Sequence, residues 1–211
     1  MLISFEGIDG CGKSTQIRRL QEDLDESGAS VLVVREPGGT IVSERIRDIL
    51  LDSALDVDPF AEMLLFSAAR AQLVRTRVRS SLQKGDVVIC DRFFDSTIAY
   101  QGAGRAIAHP EWLADFQRRV TDGLIPQRTY FIRLDPAVAA ARLSDRAGRT
   151  RSRDRMEQSG RAFFARVAGA YENLADAEPE RFVVIDGTGS EDEIAREIRD
   201  DFRKTFPEFG T

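Results

Sequence analysis

Residues 2–14 read Leu2-Ile-Ser-Phe-Glu-Gly-Ile-Asp-Gly-Cys-Gly-Lys-Ser14. The opening run, Leu2–Glu6, is short and nearly all apolar, as a strand buried on both faces of a parallel sheet reads. The next eight residues, Gly7–Ser14, fit the pattern G-x-x-x-x-G-K-[ST]. Its glycines let the backbone curl until several N–H groups point inward at phosphate oxygens. From Ser14 to Ser27 the apolar residues Ile17, Leu20 and Leu24 fall at helical spacing, so a helix N-terminus adds positive potential to the loop. In this context Lys13 reaches the β- and γ-phosphates of a nucleoside triphosphate and Ser14 ligates Mg²⁺. Strand, glycine loop and helix in that order predict an α/β nucleotide-binding fold.

The remaining sequence repeats the alternation. Further strands are expected over Ser30–Val34, Asp86–Cys90, Thr129–Leu134 and Arg181–Ile185. Helices are expected over Pro59–Leu82, Pro110–Val120, Pro136–Arg146, Glu157–Ala177 and Glu191–Thr205. Such a β-α series implies a parallel sheet with right-handed crossovers and helices on its faces. No repeat, low-complexity tract or linker divides the chain, so one domain over residues 1–211 is expected. Ala147–Met156 (AGRTRSRDRM) is polar and basic and reads as a solvated loop or a lid.

Composition narrows the partners. The 211 residues carry 30 Lys+Arg and 35 Asp+Glu, a formal net charge of -5, which argues against nucleic acid or an anionic membrane as the main partner. Of the basic residues only Lys13, Lys84 and Lys204 are lysines, and one of the three occupies the phosphate loop. No apolar run approaches the roughly 18–20 residues of a membrane helix. The start of the chain lacks the basic region of a signal peptide. Two cysteines, Cys11 and Cys90, exclude a disulfide scaffold and fit a reducing cytoplasm. Both read most simply as small buried residues, although Cys11 near a helix N-terminus is a candidate for thiol reactivity.

Five groups of residues beyond the loop carry polar chemistry. Arg35-Glu-Pro-Gly-Gly-Thr40 follows the second strand, and its Pro and glycines predict a tight loop in which Arg35 can hold an anion. Phe66 and Arg70, four apart, share one helix face; a ring and a planar donor fork suit a nucleobase, while a core Phe with a surface Arg is the plainer alternative. Val87-Val-Ile-Cys-Asp91 is a Walker-B-like strand followed at once by Arg92, which sets an acid for Mg²⁺ beside a cation for phosphate. Ser96, Tyr100 and Gln101 follow within one helical turn or so and can line a pocket. Arg149, Arg151, Arg153 and Arg155 crowd the basic loop, where a lid can bring arginines to a transferring phosphoryl group. No Asn-Lys pair is present, so the guanine-reading N-K-x-D motif of a switch GTPase is missing.

With the motifs FEGIDGCGKST, REPGGT and DRFFDSTIAYQG in hand, and with Asp154-Arg-Met-Glu157, Phe163-Phe164 and Tyr171 following, the chain resembles bacterial thymidylate kinase from end to end. The resemblance implies a nucleoside-monophosphate-kinase-like three-layer α/β fold: a five-stranded parallel sheet flanked by helices, with an Arg-rich lid at about 147–157. It implies ATP and dTMP as substrates, Mg²⁺ as cofactor, a cytoplasmic homodimer with the Pro59–Leu82 helix as a contact, and dTDP as product. ATP would be bound by the loop residues Gly7, Ile8, Asp9, Gly10, Cys11, Gly12, Lys13, Ser14 and Thr15. Arg142 or Arg146 would cover adenine, with Asp186-Gly-Thr188 lining that pocket. In the dTMP site Phe66 would stack on thymine, Arg70 would bond O4, and Gln101 with Ser96 nearby would meet the pyrimidine edge. Tyr100 would crowd C2′, and Asp9 would sit by the 3′-hydroxyl. Arg35 and Arg92 would hold the acceptor phosphate beside Pro37, and Asp91 would act on Mg²⁺ through water. Some members carry an arginine in the phosphate loop; here Gly10 stands at that place, so the lid must supply the cation, and Arg149 and Arg153 are the candidates. Lys13, Asp9, Arg92, Arg149 and Arg153 then form the catalytic set.

The reaction so implied needs no general base, because the acceptor oxygen is already anionic at neutral pH. The lone His109 reads as a surface residue. Two other readings stay open at this level. A deoxynucleoside kinase would need a base near a 5′-hydroxyl, a role Glu6 can be read into. A slow nucleotide-hydrolysing switch would need a protein partner.

Overall fold

The computed structural model describes residues 1–147 and 155–209. Five parallel strands, β1 (Leu2–Glu6), β2 (Val31–Arg35), β3 (Val87–Asp91), β4 (Arg128–Arg133) and β5 (Phe182–Asp186), form one sheet in the order β2-β3-β1-β4-β5. Each lies within one or two residues of its expected position. Strand side chains alternate between two core clusters, as the pleat requires. Ile3, Phe5, Val87 and Ile89 pack with Ile17, Leu20 and Leu24 of α1 (Lys13–Glu26) and with Ile194, Ile198 and Phe202 of α9 (Glu191–Thr205). Leu2, Val34, Val88 and Cys90 pack with Met63 and Leu73 of α3 (Pro59–Leu73) and Leu113 of α6 (Pro110–Val120). Helices on both faces of a parallel sheet make the expected three layers.

Helix α3 runs on through a π-helical turn, Val74–Val78, into α4 (Arg79–Lys84), so the expected single helix is continuous but not uniform. Its start is set by Pro59 at the first position and by Asp58, whose Oδ1 accepts from the backbone N–H of Phe60 at 2.9 Å and of Ala61 at 3.2 Å. A helix absent from the expectations, α2 (Ile41–Leu51), follows the REPGGT loop, capped by Thr40, whose Oγ1 accepts from Ser43 N at 3.0 Å. It buries only Ser43 and Leu50, which is why apolar periodicity does not betray it. After β3 come α5 (Phe94–Thr97) and a second π-helical segment, Ile98–Gly104. Beyond β4 comes α7 (Pro136–Ala147), and α8 (Arg161–Ala177) starts four residues later than expected, because 155–158 form turns.

The register brings the functional ends together. Arg35 of β2 lies opposite Asp91 of β3, which lies opposite Phe5 of β1. The segments after these three strands therefore leave the same edge of the sheet side by side, where ligands of open α/β sheets bind.

Candidate functional site

Helix α1 begins at Gly12, whose φ of 108° is left-handed, and it has no side-chain cap, unlike α2, α3 and α9. Its first N–H groups thus remain for an anion. Lys13 is buried and folds back over the loop, its Nζ donating to Gly7 O at 3.0 Å and Ile8 O at 3.1 Å. Ser14 donates its Oγ–H to Asp91 Oδ2 at 3.2 Å. A hydroxyl and a carboxylate are hard oxygen donors suited to Mg²⁺, which keeps several waters and takes few protein ligands. Among the described residues there is no cluster of three or more His, Cys, Asp or Glu residues that could hold a metal ion.

Two loop glycines are there for space. At Gly7 (φ +132°) a Cβ would lie 2.6 Å from Ile132 O, and at Gly10 (φ +86°) one would lie 2.7 Å from Ala139 O and 3.0 Å from Leu143 Cγ. The loop is therefore seated directly on β4 and α7. At Gly10 the backbone of α7 occupies the space that a side chain would need.

Arg92 joins the loop to the acceptor side. Its Nη1 donates to Gly7 O at 2.9 Å and Ser96 Oγ at 3.1 Å, and its Nη2 donates to Asp9 Oδ1 at 2.8 Å and Tyr100 OH at 3.1 Å. Its backbone is left-handed, with φ 72°, a conformation that costs a non-glycine residue about 1–2 kcal/mol. Burial pushes the Asp9 carboxyl up, but Arg92 and Lys13 pull it further the other way, to about 2. Beneath Arg92, Glu6 is fully buried: its Oε1 accepts from Phe93 N at 2.7 Å, and its Oε2 accepts from Ser96 Oγ at 2.7 Å and Tyr171 OH at 2.8 Å. Burial pushes Glu6 up, and the neighbouring Asp95 adds to this.

Asp9, Lys13, Ser14, Asp91, Arg92 and Tyr100 line a cavity of about 330 Å³ with Arg35, Pro37, Phe66, Arg70 and Gln101. Phe66 is half-buried. Arg70 is not the surface charge of the plainer alternative, being only 2% exposed. Its Nε donates to Glu36 Oε2 at 2.6 Å, Nη1 to Thr97 Oγ1 at 2.8 Å and Gln117 Oε1 at 2.7 Å, and Nη2 to Phe93 O at 3.1 Å. One Nη2–H is then unspent among the described residues, and Arg70 and Phe66 both line the cavity. The geometry suits a flat heterocycle with a carbonyl edge. Arg35 is half-exposed and 3.4 Å from Glu44 Oε2. Ser96 lines the cavity, but its hydroxyl is committed to Glu6 and Arg92 rather than turned toward Gln101.

The cavity also holds residues that the sequence reading did not single out: Glu36, Arg47, Leu51, Thr97, Leu143, Met156 and Glu157. Arg47 sits on the unexpected α2 and donates to Pro37 O at 3.0 Å. Thr97 and Glu36 stood inside quoted motifs, DST and REP, and adjacency to Ser96 and Arg35 was the available signal. Arg142 lies on α7 and is not among the cavity-lining residues, and Arg146 lies in the last turn of that helix. Arg149, Arg151 and Arg153 lie outside the described residues.

One expectation needs correction, and one open alternative loses its footing. Arg155 is not a solvated lid arginine. Its guanidinium is 13% exposed, its Nη1 lies 2.5 Å from Glu62 Oε2, and its Nε donates to Leu50 O at 3.0 Å, because a buried carboxylate on α3 draws it inward. Glu6 is not placed as a base for a hydroxyl acceptor: it is absent from the cavity lining and is enclosed by its hydrogen-bond donors. Cys11 and Cys90 are both buried, in line with the simpler reading.

A family model described as thymidylate kinase matches residues 5–198. The chain is 46% identical over 198 residues to thymidylate kinase of Deinococcus radiodurans, covering 94% of each protein. It is 46% identical over 203 residues to thymidylate kinase of Chlorobaculum parvum, covering 94% of this chain and 93% of that one. The crystal structure of thymidylate kinase from Ehrlichia chaffeensis superposes with a TM-score of 0.77 at 32% identity, covering 96% of this chain and 98% of the other.

Proposed function

The chain belongs to the thymidylate kinase family, and from that premise we propose how its residues divide the work of the reaction. It transfers the γ-phosphoryl group of ATP to dTMP, giving dTDP and ADP. The observation that carries the assignment of residues is the position of Arg92, which bonds the phosphate loop and Tyr100 at once within a cavity that also holds Phe66 and Arg70.

In this reading the uncapped N-terminus of α1, the loop N–H groups and Lys13 bind the triphosphate, with Gly7 and Gly10 allowing the loop to lie flat on its supports. Ser14 and Asp91 hold Mg²⁺, which when bound supplies charge neutralisation between the phosphates. Phe66 stacks on thymine, and Arg70 gives its unspent N–H to O4. Gln101 meets the N3 edge, and Tyr100 stands against C2′. Arg92 and Arg35, with Arg47 on the far wall, receive the acceptor phosphate. Asp9 stays ionised across the working pH range and faces the 3′-hydroxyl.

No base is required, since a phosphate oxygen attacks directly. Catalysis consists of aligning two polyanions and offsetting their charge, which suits a site rich in fixed arginines. Gly10 offers no room for a loop cation, so Arg149 and Arg153 of the lid are assigned to the transferring group. Arg142 and Arg146 on α7 are assigned to adenine.

The family resemblance supports a homodimer. Ile41, Val42 and Ile49 of α2 and Phe60 and Leu64 of α3 are exposed apolar residues on two helices that pack together, and a second copy is assigned to that face. No helix among the described residues is long and apolar enough to cross a membrane, and the cytoplasm is the proposed compartment.

The test is ADP release from MgATP with dTMP, dUMP, dCMP, AMP, GMP and thymidine offered singly. Fast turnover with dTMP, slower with dUMP and none with thymidine is expected. Turnover with thymidine would move the acceptor to a hydroxyl and reopen the role of Glu6.

A further inference from the structure

Glu62 lies one helical turn before Phe66 on α3, and Arg70 one turn after, so the three share a face. Glu62 is completely buried, yet it is not among the cavity-lining residues. Its Oε1 accepts from Gln101 Nε2 at 2.9 Å and Arg105 Nε at 3.2 Å. Its Oε2 accepts from Arg105 Nη2 at 3.2 Å and Arg155 Nη1 at 2.5 Å. Burial pushes this carboxyl up, but the bonds from Gln101, Arg105 and Arg155 outweigh it and hold Glu62 below the usual range. Glu62 is therefore an acceptor only.

That fact decides the orientation of an amide. Gln101 is 2% exposed and lines the cavity. An ionised carboxylate can receive only its N–H, so the –NH₂ end must face Glu62 and the carbonyl Oε1 is the end left for the cavity. A carbonyl there accepts from a base that carries a donor at the matching edge, as the imide N3–H of thymine or uracil does. It offers nothing to a ring atom with no hydrogen to give.

We propose that Glu62 is a specificity-positioning residue: through the Gln101 amide it presents an acceptor to the N3–H of the pyrimidine. The inference rests on the reading of Gln101 as a base contact. The same carboxylate holds Arg155, and Met156, next in the chain, lines the cavity with its Sδ 3.8 Å from Arg105 Nη2 and 3.9 Å from Arg155 Nη2. The node that sets the amide is thus also the anchor of the chain returning from residues 148–154.

The test compares binding of dTMP with binding of 5-methyl-dCMP, whose N3 carries a lone pair in place of the hydrogen; its exchange of O4 for an amino group is common to wild type and variants, so the change in ratio between them reports Gln101. The wild-type chain should bind dTMP at least about tenfold more tightly, since a buried acceptor goes unpaired with the analogue. Glu62→Gln, whose amide can itself donate to or accept from Gln101, removes the constraint, so the Gln101 –NH₂ can turn to the analogue's N3 lone pair and the ratio should fall several-fold below the wild-type value. Glu62→Asp keeps the charge for the arginines but withdraws from Gln101, and the ratio should fall there too. Each ratio is taken on protein whose thermal transition shows it folded. A wild-type ratio near one would overturn the reading of Gln101 itself. A full wild-type ratio kept unchanged by both folded variants would overturn the role of Glu62 and leave Gln101 standing. If neither variant folds, the wild-type chain decides. The side-chain NH₂ resonances of Gln101, assigned by their loss in Gln101→Met, should keep their shifts when dTMP binds. An amide that turns on binding would overturn the inference.

Discussion

Arg92 Nη2 lies 2.8 Å from Asp9 Oδ1, an ion pair between the residue that follows β3 and the middle of the phosphate loop. Because Arg92 also donates to Gly7 O, Ser96 Oγ and Tyr100 OH, both terminal nitrogens of its guanidinium work together as a rigid fork. Lysine has the charge without the fork. Arg92→Lys is expected to lower kcat/KM for dTMP by about 10²- to 10³-fold while the chain keeps its secondary structure. Steady-state kinetics with far-ultraviolet circular dichroism check this, and a loss under tenfold would reduce Arg92 to a point charge.

Gly10 explains why the phosphate loop carries no arginine at its fourth position. A Cβ there would press on the backbone of Ala139 in α7, at a φ that side chains rarely adopt. Gly10→Ala should cost about 1–2 kcal/mol from the backbone alone, with the contact adding to it. A chain this long loses about 2–4 °C per kcal/mol, so a fall of several degrees in Tm is expected. Gly10→Arg should fall further and should not restore activity to Arg153→Ala. Rescue in the double variant would show that the loop can move off α7.

The outline of the fold was legible because its strands are buried on both faces and read as unbroken apolar runs. The helix Pro110–Val120 was bounded correctly because proline opens it and its apolar stripe is clear. α2 was not legible: Ile41 is 86% exposed, so its apolar residues mark an outer face instead of the core. The site divides in the same way. Lys13, Ser14, Asp91 and Arg92 lie in local motifs whose backbone geometry is itself the function. Glu62 and Arg47 act through partners distant in sequence, and no spacing announces a carboxylate that meets Gln101, Arg105 and Arg155.

The arginines of the basic stretch should separate by experiment into two kinds. Arg155 ends in a buried pair with Glu62, which keeps Arg105 and Gln101 as partners when Arg155 is removed. Arg155→Ala is expected to cost about 3 kcal/mol, the lower end for breaking a buried ion pair, and to lower the urea midpoint. Arg153→Ala should leave that midpoint unchanged and lower kcat far more than it raises the KM for dTMP, as loss of charge at the transferring group requires. Equal changes in kcat and KM for Arg153→Ala would make it a binding residue.

Glu36 gives the site a pH signature. Burial pushes its carboxyl up, and although Arg70 pulls it back, it settles at about 7. One of its oxygens, Oε1, has no hydrogen-bond partner among the described residues. The unfolded chain binds this proton less tightly, with the ordinary value of 4.5. Between those two values the native state holds more protons than the unfolded state, so the contribution of Glu36 to stability falls as pH rises from about 4.5 to about 7 and is flat above. A shift of that size amounts to something on the order of 3 kcal/mol. Burial pushes Glu6 and Asp95 in the same direction, whereas Asp9 is drawn the other way, so the wild-type profile mixes several groups. Glu36→Gln isolates one of them, since its amide oxygen can still accept from Arg70 Nε. Urea unfolding of both proteins from pH 5 to pH 8 should show the wild type losing more stability across the range than the variant. Parallel profiles would mean that Arg70 keeps Glu36 ionised throughout, and the acidic end of the loop would then be a fixed ion pair with no proton to lose.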